Sequence, residues 1–342
     1  MSVAGLATGS GAMSADRRAT YVSVILMAAL TVLAFASLTL GLEAISPGTL
    51  WSVLSGNETG DAAHIAELRW QRFATAAGIG AALALSGAIL QTALRNPLAE
   101  PGVIGLSSGA ALAATLVMLA TTGYVATWQI SLAAIVGSMA AVAAVTLLAR
   151  SPNGVQPLRL ILAGIAFSAL AGAVITAATL VGPPHRLPRL LVWLSGDLNG
   201  SNWADLRLIW SVLLIAAPLI IVTMRRLDVA MLDPISGAGL GNRRGITLML
   251  SLFMAASLAG VATTIGGIVI FVGLIAPHLA HRLVGPVNRR RMPVAALTGA
   301  LIVAGADLFG RLLDPPTQLP AGLICGVIGA PFFFLLMRHR NG

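Results

Sequence analysis

Gly105-Leu106-Ser107-Ser108-Gly109 has the G-x-S-x-G form of a nucleophile elbow, in which a turn presents a serine to a base, and His278 is a side chain that could act as that base. The pattern arises readily by chance in a chain with 37 glycines, and small-residue runs also let helices approach closely in lipid. His278 and His281 have a helical spacing that suits a metal ion, but no acid or thiol lies near them in sequence to complete a site, so they read as a polar helix end. Arg69 and Arg72, three apart on one helical face, combine with Arg311 into a positive patch suited to carboxylates. The same residues also read as interfacial anchors, or as partners of Glu67 or Asp314. Asp307 is the acid set well inside an apolar run, where a carrier driven by an ion gradient needs acids at depth. Such poverty in acids points to an energy source on another polypeptide. All 21 basic residues are Arg, and a phosphate-binding loop of the Walker type requires Lys, so this chain does not hydrolyse ATP by that route.

The elements that position these groups follow from composition. Hydrophobic residues make up 57% of the 342 and charged residues 10%, against about 25% charged in a soluble domain, and mean hydropathy is +0.90. A crossing takes about 20 apolar residues, so the length admits roughly ten. Apolar runs between polar, Gly and Pro punctuation predict helices near 21–42, 68–91, 99–120, 128–149, 158–181, 204–223, 246–264, 267–284, 293–312 and 320–337. Thr263-Thr264-Ile265-Gly266-Gly267 is so short that the flanking helices are either tightly turned neighbours or a broken pair. Ala34-Phe35-Ala36 has the form of a signal-peptidase site, yet the apolar run continues to a full span, which favours an uncleaved first helix. The lone Cys325 excludes an intrachain disulfide.

The net charge of +9 is scattered in ones, twos and threes, which argues against nucleic acid and for topology signals. Counting Arg in alternate loops gives 15 on the side of the N-terminus and 6 on the other. By the positive-inside rule, both termini are cytoplasmic and the helix count is even. The expected architecture is a single all-α membrane domain over 21–338, with tails at 1–20 and 339–342. Two cytoplasmic loops exceed a simple turn. Residues 225–245 read as a short surface helix between turns, and Arg289-Arg290-Arg291 as a stop-transfer anchor.

Several strings resemble the permease family of bacterial importers for ferric siderophores, haem and vitamin B12. They are Arg95-Asn96-Pro97-Leu98-Ala99-Glu100-Pro101-Gly102 followed by Gly105 and Ser107 to Ala110; Gly273 to His278, with Pro277; and Leu319 to Gly322 with Ile328 to Phe332. Asp307 falls where members carry an Asp, and Trp193 to Gly200 with Trp203 is similar to the siderophore branch. The match runs over nearly the whole chain after residue 65.

The resemblance implies ten transmembrane helices in the type II fold of ATP-binding-cassette (ABC) importers. It also implies a second permease subunit, identical or paralogous, two ATPase subunits in the cytoplasm, and a soluble binding protein outside. ATP and magnesium then belong to the ATPase subunits, and this chain carries no cofactor, metal or catalytic residue. Arg69, Arg72 and Arg311 are implied to receive acidic residues of the binding protein, although Trp70-Gln71 replaces the common Leu-Pro between the first two. The coupling segment is implied to include Asp233, Gly239, Leu240, Gly241, Arg243 and Arg244, in a more compact arrangement than usual. The expected mechanism is alternating access, with the helix at 158–181 opening and closing a weakly polar path in the bacterial cytoplasmic membrane.

Overall fold

In a chain this apolar, backbone N–H and C=O groups must find partners within the protein, and helices supply them locally. The computed structural model describes residues 4–121, 125, 127–151, 154–232, 234–241, 243–313, 315 and 317–338. The elements are α1 (Ala4–Thr39), α2 (Pro47–Leu54), α3 (Asp61–Ala93), α4 (Leu106–Ala120), α5 (Thr127–Leu148), α6 (Pro157–Val181), α7 (Leu187–Leu194), α8 (Trp203–Ala230), α9 (Pro234–Gly239), α10 (Arg244–Gly266), α11 (Val272–Val284), α12 (Asn288–Leu313) and α13 (Ala321–Arg338). A two-residue antiparallel ladder, Arg150–Ser151 with Gly154–Val155, joins α5 to α6.

Each of the ten predicted segments coincides with a helix, but the helices are not equivalent. Seven are long and apolar enough to cross a membrane: α3, α6, α8, α10, α12, and α1 and α5 from Ala15 and Trp128 onward. At 1.5 Å per residue, α4 and α11 extend only about 22 and 20 Å, short of the roughly 30 Å of hydrocarbon. Irregular backbone leads into these short helices, at 94–105 before α4 and at 267–271 before α11. The predicted third helix therefore begins at Leu106 rather than 99, because Asn96-Pro97 and Pro101-Gly102 interrupt it. The junction after α10 is a broken pair, with left-handed backbone at Gly267 (φ 64) and Phe271 (φ 67). Residues expected as an N-terminal tail are helical from Ala4 onward, where no Pro stops the helix, and Asp16 meets the guanidinium of Arg290. The tail at 339–342 lies outside the described residues.

Helix α3 is the axis of the bundle. Of its apolar window 94% is buried, and α8, α10, α11 and α12 pack around it. Small residues permit that density: a Cβ on Gly80 would stand 2.1 Å from the carbonyl oxygen of Gly299 in α12. The corresponding window is only 6% buried in α1, 17% in α6 and 22% in α8, leaving those helices broad outward faces.

Candidate functional site

At one end of the bundle the three singled-out arginines converge. Arg72 donates from Nε to both Asp307 oxygens at 2.9 and 3.1 Å, and its Nη2 lies 2.8 Å from Oδ1. Its Nη1 donates to Asn199 Oδ1 at 3.3 Å and to Gln318 Oε1. Arg311, one turn beyond Asp307 on α12, places Nε 3.6 Å from Oδ2 and donates from Nη2 to Ser37 Oγ at 2.7 Å. Arg69 donates to the carbonyls of Leu38 (2.8 Å) and Glu43, closing the end of α1 onto α3. Arg72 and Arg311 thus share one buried carboxylate, while Arg69 beside them is held by backbone carbonyls. The three arginines line a cleft of about 350 Å³ together with Asn199, Ser201 and Gln318.

This geometry decides among the pairings that sequence left open. Glu67 does not pair with the arginines; its Oε1 accepts from Trp203 Nε1 at 2.6 Å and from Gln71 at 3.2 Å. Asp314 lies outside the described residues. The partner is Asp307, whose one-turn spacing to Arg311 was visible in sequence, whereas its pairing with Arg72 depends on how α3 and α12 pack. The Trp193 to Gly200 segment borders the cleft through Asn199 and folds onto the start of α13, where the Gly322 N–H donates to Gly196 O at 3.1 Å. Half-buried Asp197 lies in this turn, accepting from the Asn199 N–H at 3.0 Å, and burial raises its carboxyl above the usual range.

At the other end of α8, about 42 Å away for 28 residues, lies the polar segment anticipated at 225–245. It contains the short helix α9, which ends at Gly239, and then Leu240, Gly241, Arg243 and Arg244; these five residues are all exposed. Asp233 lies outside the described residues. Leu240 is 65% exposed, more than Met231 and Leu232 at 40% and 43% in the same segment. Two contacts hold its root. Arg95 donates from Nε to Ala230 O at 2.8 Å and from Nη2 to Leu232 O. Asp228 Oδ1 accepts from the backbone N–H and the side-chain Nδ2 of Asn288, at 3.1 and 2.6 Å. Asn288 and Asp228 were not singled out from sequence, since only the meeting of α8 with α12 reveals them. The arginine triplet does not act as one anchor: Arg289 is exposed, Arg290 reaches Asp16, and buried Arg291 donates to Ala88 O at 2.9 Å.

The motif residues tie loops and helix ends together. Asn96 Oδ1 accepts from the Leu98 N–H at 2.9 Å after Arg95, and Pro97 follows within that turn. Buried Glu100 accepts from the Phe271 N–H at 2.6 Å, Pro101 packs on Gly273, and Gly102 O accepts from Ser168 Oγ at 3.1 Å. Pro277 is buried inside α11 and His278 is partly buried beside it. The G-x-S-x-G run opens α4 and serves a close helix crossing, since a Cβ on Gly109 would stand 2.6 Å from Gly137 O in α5.

A bundle of long apolar helices around a buried axis, with short half-helices set against it and polar features at its two ends, has the architecture of a membrane transport subunit. The model of the FecCD transport family matches residues 29–339, and the chain belongs to that family. It is 39% identical over 338 residues to the achromobactin transport system permease protein CbrC of Dickeya dadantii, covering 97% of this chain and 96% of that one. It is 36% identical over 317 residues to the Fe(3+)-citrate import system permease protein YfmE of Bacillus subtilis, covering 93% and 94%. Other relatives are named for hemin and vitamin B12. Among solved structures, a metal-chelate type ABC transporter in an inward-facing conformation superposes with a TM-score of 0.81 at 29% identity, covering 94% of this chain and 99% of that one. The chain is accordingly a permease subunit of the bacterial inner membrane, in a family that imports iron chelates, haem or vitamin B12.

Proposed function

We propose that this subunit carries a ferric siderophore into the cytoplasm by alternating access, driven by ATPase subunits that grip the exposed segment around Leu240. The observation that carries this reading is the placement of two unlike surfaces at opposite ends of α8: an arginine-lined cleft with excess positive charge, and an exposed basic segment presenting an apolar side chain. In the proposed topology the chain crosses ten times with both termini inside. The short helices α4 and α11 complete their crossings through the irregular backbone that precedes them, which is partly buried in the bundle.

The cleft then faces outward. Arg69, Arg72 and Arg311 receive acidic side chains of a binding protein, because one carboxylate serves both Arg72 and Arg311 and Arg69 bonds backbone carbonyls. A second permease subunit completes the path, and two ATPase subunits and one binding protein complete the transporter. Trp193 to Gly200 and the relatives named for achromobactin and ferric citrate favour a siderophore as cargo.

The test is uptake of labelled ferric siderophores, haem and cobalamin into proteoliposomes holding the complete transporter. The proposal expects siderophore uptake that needs ATP, the ATPase and the binding protein together. Uptake that persists without the ATPase and follows an ion gradient would refute the mechanism, and preference for haem or cobalamin would refute the cargo.

A further inference from the structure

Among the described residues, two that are not glycine have positive φ: Arg95 at 51° and Phe271 at 67°. They lie at the two ends of one chain of contacts. Helix α3 closes in a Schellman motif, with the Arg95 N–H donating to Thr92 O at 3.2 Å and the Asn96 N–H to Gln91 O at 3.1 Å. Arg95 holds the left-handed position of that motif, where glycine is favoured because it has no Cβ to strain. A residue kept in an unfavourable conformation points to a task for its side chain. Here the side chain binds the Ala230 and Leu232 carbonyls, at the root of the segment that bears Leu240.

From Arg95 the loop 94–105 runs stiffly to two other helices. The Asn96 turn fixes its start, with Leu98 N–H on Oδ1 and Ala99 N–H on the Asn96 carbonyl at 3.1 Å. Glu100 holds the N–H of Phe271 at the head of α11. Gly102 O holds Ser168 of α6, and the loop meets α6 backbone to backbone: a Cβ on Gly164 would lie 2.6 Å from Ile104 Cα. Displacing the root of α9 therefore pulls on α6 and α11 through bonded and close-packed atoms.

We propose that Arg95 is a positioning residue that, through the loop 94–105, transmits motion of the ATPase-facing segment to α11 and to α6, the helix expected to open the path. This rests on the reading of the segment around Leu240 as the ATPase contact.

The experiment uses the complete reconstituted transporter and records ATPase attachment, ATP hydrolysis, transport per ATP and thermal stability. Arg95→Gly is the decisive variant, because glycine suits φ 51° and keeps the turn while removing the link. The expected result is unchanged or raised stability, normal ATPase attachment, and at least a fivefold fall in transport per ATP. Ser168→Ala should lower transport per ATP alone and add little in the double variant, since both changes cut one link. Arg95→Lys, with a single point donor in place of a fork, should fall between.

Wild-type transport per ATP in Arg95→Gly would overturn the proposal. Loss of ATPase attachment in that variant would also overturn it, by assigning Arg95 to the shape of the segment. Leu240→Asp separates the premise from the link: if ATPase attachment survives it, the reading of the segment fails. If attachment is lost there while Arg95→Gly stays coupled, only the link fails.

Discussion

Arg72 and Asp307, 235 positions apart, meet through both carboxylate oxygens, with Arg72 Nε at 2.9 and 3.1 Å from them and Nη2 at 2.8 Å from Oδ1. The pair pins α3 to α12 beneath the arginine cleft, with side chains 9% and 2% exposed. Removing one partner of a buried pair strands the other charge and costs about 3–5 kcal/mol. Asp307→Asn should therefore lower the unfolding midpoint of the solubilised subunit sharply. Combining Asp307→Leu with Arg72→Met should recover part of the loss, because the Arg72 charge is then no longer stranded, although Arg311 still lacks its carboxylate. A double variant as unstable as the sum of its singles would show that the pair does not act as a unit.

Glycine substitutions should divide by their surroundings. Gly80→Ala drives a methyl into the Gly299 carbonyl and should destabilise by about 1–3 kcal/mol or more, since two backbones must part. Gly172 in α6 has open space around its Cβ position, so Gly172→Ala should stabilise by roughly 0.4–1 kcal/mol. Thermal unfolding in one detergent compares the two, and equal shifts would contradict the packing.

The carboxyl of Asp197, raised by burial, gives a pH dependence of definite sign. Between the unfolded and folded values the native state binds more protons, so this residue's contribution to stability falls as pH rises. The wild type should lose stability relative to Asp197→Asn on going from about pH 4 to about pH 7. Melting curves of both proteins across that range test it, and a constant difference would contradict it.

Leu240 is exposed and contributes little to the bundle, so Leu240→Asp should leave the unfolding midpoint of the isolated subunit within about 0.5 kcal/mol of wild type. Co-purification of the ATPase with the complex should nevertheless fall at least tenfold. Undiminished attachment would move the ATPase contact elsewhere.

What sequence could and could not disclose follows from the range of the interactions. Hydrophobic runs are local, so all ten helical segments were visible, as was the surface helix within 225–245. Helix length was only partly visible: the junction at 263–267 left a tight turn or a broken pair open, and Val103-Ile104 and Ile268-Val269-Ile270 carry the apolar runs into irregular backbone. Arg69, Arg72 and Arg311 drew notice as charges in unexpected places, and Asp307 as an acid at depth, but nothing local joined Arg72 to Asp307. Asn288 and Asp228 carried no signal at all, since an Asn after a Pro and an Asp near a helix end are ordinary until α8 meets α12. Arg95 was visible as a motif, while its left-handed backbone and its hold on Ala230 and Leu232 required coordinates.

The irregular backbone ahead of α4 and α11 also governs how this chain matures. A long helix satisfies its own backbone on entering lipid, so seven segments can settle independently. The loop 94–105 bonds much of its own backbone, but its buried Glu100 carboxylate takes the N–H of Phe271, 171 positions later in the chain. That contact forms only once the head of α11 has been made. A chain released after Gly266 should keep its long helices inserted yet be cleaved by protease near 94–105, whereas one released after Val284 should be protected there.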